Sequence, residues 1–130
     1  MAVKRHPAPS GTYSESVVVD GPGRWVHVSG TLGVDADGAL VSGGMYEESV
    51  AVFSAISRSL ATAGATLADV VRITAYLTDL DSYGDFGRAR AEAFGETLPA
   101  SAAVAVSGLL LGALVEVDAV AFVADRSAQA

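Results

Sequence analysis

Gly112-Ala113-Leu114-Val115-Glu116-Val117-Asp118-Ala119-Val120-Ala121-Phe122-Val123 is the stretch that decides how this chain folds. In an extended strand successive side chains point to opposite faces. Val115, Val117, Ala119, Ala121 and Val123 therefore share one face, and Glu116, Asp118, Val120 and Phe122 the other. Leu114 to Val123 is expected to be the last strand of a sheet with large apolar groups on both faces, while a layer of helices covers only one of them. The second face, with Val120, Phe122 and Trp25 from a neighbouring strand, is too apolar to leave in water. A homo-oligomer that buries this face between subunits follows as the expectation.

Upstream of this strand, Gly108 to Gly112 reads as an unusually apolar loop and Ser101 to Ser107 as a strand with Ala102, Val104 and Val106 in step. Pro99 ends the preceding connection. Asp81 or Ser82 can cap a helix running to about Gly95, with Phe86, Ala89 or Arg90, Ala93 and Phe94 facing inward. Val70 to Thr78 alternates Val71, Ile73, Ala75 and Leu77 against Arg72, Thr74, Tyr76 and Thr78, the pattern of a strand. Thr66-Leu67-Ala68-Asp69 has the shape of a capping box for one helical turn. Met45 to Ala63 is the clearest helix: Val50, Phe53, Ile56 and Leu60 recur at steps of three and four, and Gly64 suits the left-handed position that ends it. Ala39 to Val41 could add a short strand between the Gly33–Gly38 loop and Ser42-Gly43-Gly44. Ser14 to Asp20 and Arg24 to Leu32, separated by Gly21-Pro22-Gly23, read as a hairpin. Residues 1–10, with Pro7 and Pro9, read as an extended arm, and residues 124–130 as a polar tail. The expected fold is a single α+β (α/β) domain over residues 1–130, a two-layer sandwich of a mixed six-stranded sheet with two helices on one face.

The 130 residues hold 8 basic and 15 acidic side chains, a net charge of −7, so a phosphate backbone would be repelled overall. The basic residues are scattered, and nucleic acid is not expected as a partner. There is no cysteine, which excludes disulfides, thiol nucleophiles and thiolate-bound zinc. With His6 and His27 the only histidines, no metal-ligand spacing exists and no metal is expected. Apolar residues make up 51% of the chain and the mean hydropathy is +0.41, yet no run is long enough to span a membrane. No apolar run follows Lys4-Arg5-His6, so no secretory signal is read and a cytoplasmic location is expected.

Glu116 and Asp118 lie on one strand face roughly 7 Å apart. On a partly buried face, desolvation and mutual repulsion would prepare one of them as a general acid or base. Glu116 is the stronger candidate, and Asp118 reads more simply as a carboxylate at the solvated rim. His27, between Trp25 and Ser29, is a possible proton shuttle, although a packing role is the simpler reading. Gly43-Gly44 before a helix could hold an anion, but without a phosphate-loop pattern a turn is the simpler reading.

Several segments together resemble the RidA (YjgF) family of reactive-intermediate deaminases. Gly11-Thr12-Tyr13-Ser14-Glu15-Ser16 is similar to its GPYSQA, Val26-His27-Val28-Ser29-Gly30 to its VYVSG, and Gly38-Ala39-Leu40-Val41-Ser42-Gly43-Gly44 to its G-x-LVSGG. Asp69-Val70-Val71-Arg72-Ile73-Thr74 with Leu77-Thr78-Asp79-Leu80 resembles DVVKTTVYLTDL, and Gly112 to Ala121 resembles KGALVEIEAVA. The resemblance implies a chorismate-mutase-like fold and a homotrimeric barrel with small-molecule clefts between neighbouring subunits. It also implies cofactor-independent hydrolysis of 2-imino or 2-enamino acids to 2-keto acids and ammonia. Glu116 would then help activate water, while Tyr13, His27, Ser29, Gly30 and Ser101 would line the substrate pocket.

The chain departs from the family pattern at the residue after Pro99-Ala100. Ser101 stands where the family carries an arginine that grips the substrate carboxylate. A hydroxyl supplies no fixed positive fork, which argues against standard 2-iminopropionate deaminase activity. Gly87 also replaces a common asparagine, and Leu109-Leu110-Leu111 replaces the usual LPKG segment. Arg24, Arg72, Arg88 or Arg90 could replace the missing guanidinium, although solvated faces account for them more simply. Three functions follow from these features: hydrolysis or other processing of a less anionic imine, enamine or related carbonyl intermediate; metabolite binding without catalysis; and, opposed by the charge, an RNA-cleaving or translation-inhibiting role.

Overall fold

The computed structural model describes residues 2–126. Six strands, β1 (Val3–Pro7), β2 (Ser14–Val19), β3 (Gly23–Leu32), β4 (Val70–Leu77), β5 (Ala100–Ala105) and β6 (Val115–Ala124), form one mixed sheet in the order β1-β2-β5-β4-β6-β3. Two helices, α1 (Met45–Thr62) and α2 (Tyr83–Phe94), pack on one face. β4 runs parallel to β5, and both β4 and β3 run antiparallel to β6. The crossovers β3–α1–β4 and β4–α2–β5 therefore step the same way across the sheet. Crossovers of one hand then leave both helices on the same side.

The core lies between the helices and the face of β4 and β6 that the alternation singles out. Ile73, Ala75, Leu77, Val115, Val117, Ala119 and Ala121 meet Val52, Phe53, Ile56 and Leu60 of α1 and Phe86, Ala89 and Phe94 of α2. Phe53 centres an aromatic cluster, with ring centroids 5.9 Å from Phe86 and 5.4 Å from Phe94. Val50, expected in the buried stripe of α1, is exposed, and Val52 and Ser49 take the buried positions. The capping box at Thr66 and Asp69 is present, and Gly64 at φ 73° ends α1. The buried Glu48 carboxylate accepts a 2.8 Å hydrogen bond from the Leu114 backbone N–H and so fixes the approach to β6.

Several expectations about the sheet and its ends are corrected. The segment Val3–Pro7 is a strand rather than an arm: it pairs with β2, Val3 opposite Val19 and Arg5 opposite Val17. β2 and β3 do not form a hairpin. β2 meets β5 only at Ser14–Ala100, and Asp20–Pro22 then carries the chain to the opposite edge, where β3 pairs with β6. The β1–β2 ribbon lies beside the starts of β4 and β5. The Arg5 guanidinium pins it there, donating at 2.9 Å to the carbonyls of Val70, Leu98 and Ala68. Third, Ala39–Val41 contributes an isolated bridge, Val34 to Leu40, rather than a strand. Fourth, Phe122 is buried within the chain. It shares a groove with Val3, Lys4 and Arg5 of the ribbon, and its ring centroid lies 5.0 Å from that of Trp25. Of the supposed tail, Ala124 belongs to β6 opposite Gly23 and the Asp125 N–H donates to the Pro22 carbonyl; residues 127–130 lie outside the described residues.

Candidate functional site

The residues singled out in the sequence fall into two groups at different edges of the sheet. The first lies where β3 and β6 pair. Val28 stands opposite Ala119 and Thr31 opposite Val117, so Ser29 and Gly30 together oppose Asp118 in a β-bulge. The bulge brings the Gly30 backbone against the Glu116 side chain, where a Cβ at position 30 would overlap the carboxylate. Any larger residue at position 30 would force the Glu116 side chain to move. Glu116 and Asp118 share the face turned away from the helices, and both are half-buried.

These two carboxylates have different surroundings. The Tyr76 hydroxyl on β4 reaches diagonally to Asp118 Oδ2 at 3.0 Å. That hydrogen bond, reinforced by the negative charge of Asp118, raises the Tyr76 phenol above its ordinary value. Asp118 is thus engaged, whereas no side-chain hydrogen bond to Glu116 occurs among the described residues. A carboxylate that is half-buried, unengaged and bordered by bare backbone is free to accept a proton from a water or a substrate. His27 is exposed on the same face opposite Val120, outside the Glu116–Gly30 contact.

The second group lies at the β5 edge. Ser101 pairs with the buried Ile73 and points into the helix layer, where its Oγ accepts a 3.1 Å hydrogen bond from Arg90 Nη1. Arg90 is buried on α2, four residues from both Phe86 and Phe94, and its Nη2 donates to the Tyr83 hydroxyl at 3.0 Å. Tyr13, just before β2, is half-buried with its ring centroid 6.0 Å from the Arg90 guanidinium carbon. Of the four arginines weighed as replacements, Arg90 is the one that reaches Ser101. Its signal in the sequence was a cation in phase with the apolar stripe of α2. Tyr76 had no comparable signal, because its partner Asp118 lies on another strand, and Tyr83, seven residues before Arg90 on α2, was not singled out.

β5 and β3 are separated by β4 and β6, so the two groups stand roughly 14 Å apart across the sheet and on opposite faces. One copy of the chain does not bring Glu116, Ser29 and Gly30 to Tyr13 and Ser101. At the α1 N-terminus, Gly43 and Gly44 adopt φ of 123° and 109°, and the Glu47 side chain packs against Gly43 where an anion would have to sit. Among the described residues no group of three or more His, Cys, Asp or Glu could hold a metal ion.

This fold, a mixed six-stranded sheet with two helices on one face, defines a small α+β sandwich protein. The chain belongs to the RidA (YjgF) family: the family profile described as Endoribonuclease L-PSP matches residues 3–123. It is 37% identical over 120 residues to a RutC family protein of Pyrococcus abyssi, covering 92% of each chain. It is 34% identical over 122 residues to the 2-iminobutanoate/2-iminopropanoate deaminase of Rattus norvegicus, covering 93% of this chain and 87% of that one. Among solved structures it is similar to a protein of the conserved Rid family from Yersinia pestis, with a TM-score of 0.84 and 26% identity over 95% of this chain and all of the other.

Proposed function

We propose that this protein is a cofactor-independent hydrolase of reactive imines, enamines or related carbonyl intermediates, working in clefts between the subunits of a homotrimer. The observation that carries this reading is the unengaged Glu116 carboxylate against Gly30, beside an Asp118 already held by Tyr76. Water attacks the imine carbon while Glu116 takes one of its protons and the nitrogen gains a proton. The resulting carbinolamine collapses, the C–N bond breaks, and ammonia leaves as the C=O bond forms. An enamine enters the same course as its imine tautomer. Imine plus water thus gives carbonyl compound plus ammonia, without an oxidant or metal.

The trimer is supported by the separation of the two residue groups, which only a neighbouring copy can unite, and by exposed Trp25, Val104 and Val18. No helix among the described residues is long and apolar enough to cross a membrane, in keeping with a cytoplasmic setting. An RNA-cleaving role, which the family description evokes, is opposed by the net charge of −7. Binding without catalysis is the second reading, favoured by Ser101 standing where relatives hold a fixed cation.

The test compares wild type with Glu116→Gln on imines generated in situ, following ammonia release. A drop of about 100-fold or more is expected for loss of a general base. Equal rates from both proteins would reject the role, and saturable ligand binding without turnover in the wild type would establish the second reading.

A further inference from the structure

The turn at residues 107–113 carries two leucines that the core does not use. Leu110 and Leu111 are 75% and 70% exposed, the two most exposed large apolar side chains among the described residues. Leu111 is also the one non-glycine residue among them with a positive φ, 62°. In that left-handed region its Cβ crowds the following carbonyl, and a glycine would sit there without cost. The turn is nonetheless firmly tied. The Gly112 and Ala113 N–H groups donate to the Leu109 and Leu110 carbonyls at 3.3 and 3.1 Å, and Ala113 is buried. The Leu114 N–H donates to the Glu48 carboxylate at 2.8 Å, and the Leu114 carbonyl accepts from the Thr78 N–H at 3.0 Å. Strained backbone held in place so that apolar side chains stand in water belongs to gripping a ligand rather than to folding.

The place of the turn in the sheet indicates which ligand. Leu77, the last residue of β4, stands opposite Ala105 of β5 and Val115 of β6, so the turn from β5 to β6 closes over that end of the sheet. Glu116 follows Val115 directly, opposite Tyr76. The five-residue step from Leu111 to Glu116 reaches at most about 17 Å, of which the side chains themselves cover a part. From Thr97 to Val115 the sequence has no charged residue, and Leu111 stands where the family pattern carries a lysine. We infer that Leu110 and Leu111 are specificity-determining residues for the ligand held at Glu116: they form an uncharged apolar subsite that takes a branched alkyl or aryl substituent. Covering by that substituent removes from water the apolar surface that the folded chain leaves exposed. An anionic membrane surface is a poor alternative occupant, because the chain carries a net charge of −7. The compound processed at Glu116 is then an imine, enamine or carbonyl intermediate with a bulky apolar group. This inference rests on the proposed role of Glu116.

The probes are 2-oxobutanoate, 4-methyl-2-oxopentanoate and phenylpyruvate, which share one head and differ in the apolar substituent, with binding followed by calorimetry or ligand-observed NMR. Each buried methylene group gives about four-fold in affinity, so wild type is expected to bind the two larger probes at least about ten-fold more tightly than 2-oxobutanoate. Leu110→Ser combined with Leu111→Gly removes both side chains and keeps the left-handed backbone accessible, and should bring that ratio to about two-fold or less. Leu111→Met, which keeps the apolar reach, should retain it. Equal binding of the three probes by wild type, no binding of any, or an unchanged ratio in the double variant would overturn the inference. So would a double variant that sediments differently from wild type, which would assign the two leucines to contact between copies. The expected ratio together with unchanged turnover in Glu116→Gln leaves the apolar subsite standing and removes the hydrolytic reading. Lost turnover in Glu116→Gln with equal binding of the probes does the reverse.

Discussion

Two carboxylates on one strand face would repel each other and compete for the same protons, and Tyr76 resolves the competition by taking Asp118 as its acceptor. The neutral phenol is the form that donates, so the folded state favours protonated Tyr76. Its contribution to stability is present below pH about 10 and is lost as pH rises through the raised value. Tyr46, whose hydroxyl donates to Glu92 Oε1 at 2.6 Å, is raised for the same kind of reason. Alkaline absorbance titration should therefore show two late-ionising tyrosines, and Tyr76→Phe should remove one of them. Asp118→Asn should return that phenol toward the ordinary range; an unchanged late fraction in both variants would show that Asp118 does not hold Tyr76. At this scale the sequence was informative where chemistry depends on residue type at fixed spacing, as for Glu116 with Ser29-Gly30. It was silent where a partner arrives from another element, as Tyr76 does.

Among the elements, those with strong periodicity were legible: α1, α2, β4 and β6 lie within one or two residues of their expected limits. β1 was not, because a short edge strand carrying Lys4, Arg5, His6 and Pro7 has little apolar pattern of its own. Its place is fixed by pairing with β2 and by the three carbonyls that receive Arg5. The false hairpin has a related cause: alternation around a Gly-Pro-Gly turn identifies two strands but not their partners, and the pairing of the ten-residue β3 with β6 prevails. Burial lowers the Arg5 guanidinium from its ordinary value, opposed by the nearby charge of Asp69. Replacing Arg5 by methionine should destabilise the fold by about 2–3 kcal/mol, since two part-buried carbonyls and one exposed carbonyl lose a charged donor. Chemical denaturation measures this, and a loss under about 0.5 kcal/mol would show that the ribbon is held by strand pairing alone.

For the whole molecule, the expectation of a sheet face buried by other copies needs one adjustment. Phe122 is already buried within the chain, and what remains open on the sheet includes Trp25, Val104 and Val18. Sedimentation at micromolar concentration should return three times 13.1 kDa, and Val104→Glu should release the single chain. A wild-type chain that sediments alone would remove the shared cleft and with it the union of the two residue groups.

The placement of those groups at opposite edges has a genetic consequence. In the trimer proposed above, each copy would lend Glu116 to one neighbour and Ser101 to the other, so a lesion in either half would disable a different seam. Co-refolding two inert parents, one defective at Glu116 and the other at Ser101, should then regenerate an intact pocket wherever their undamaged halves adjoin.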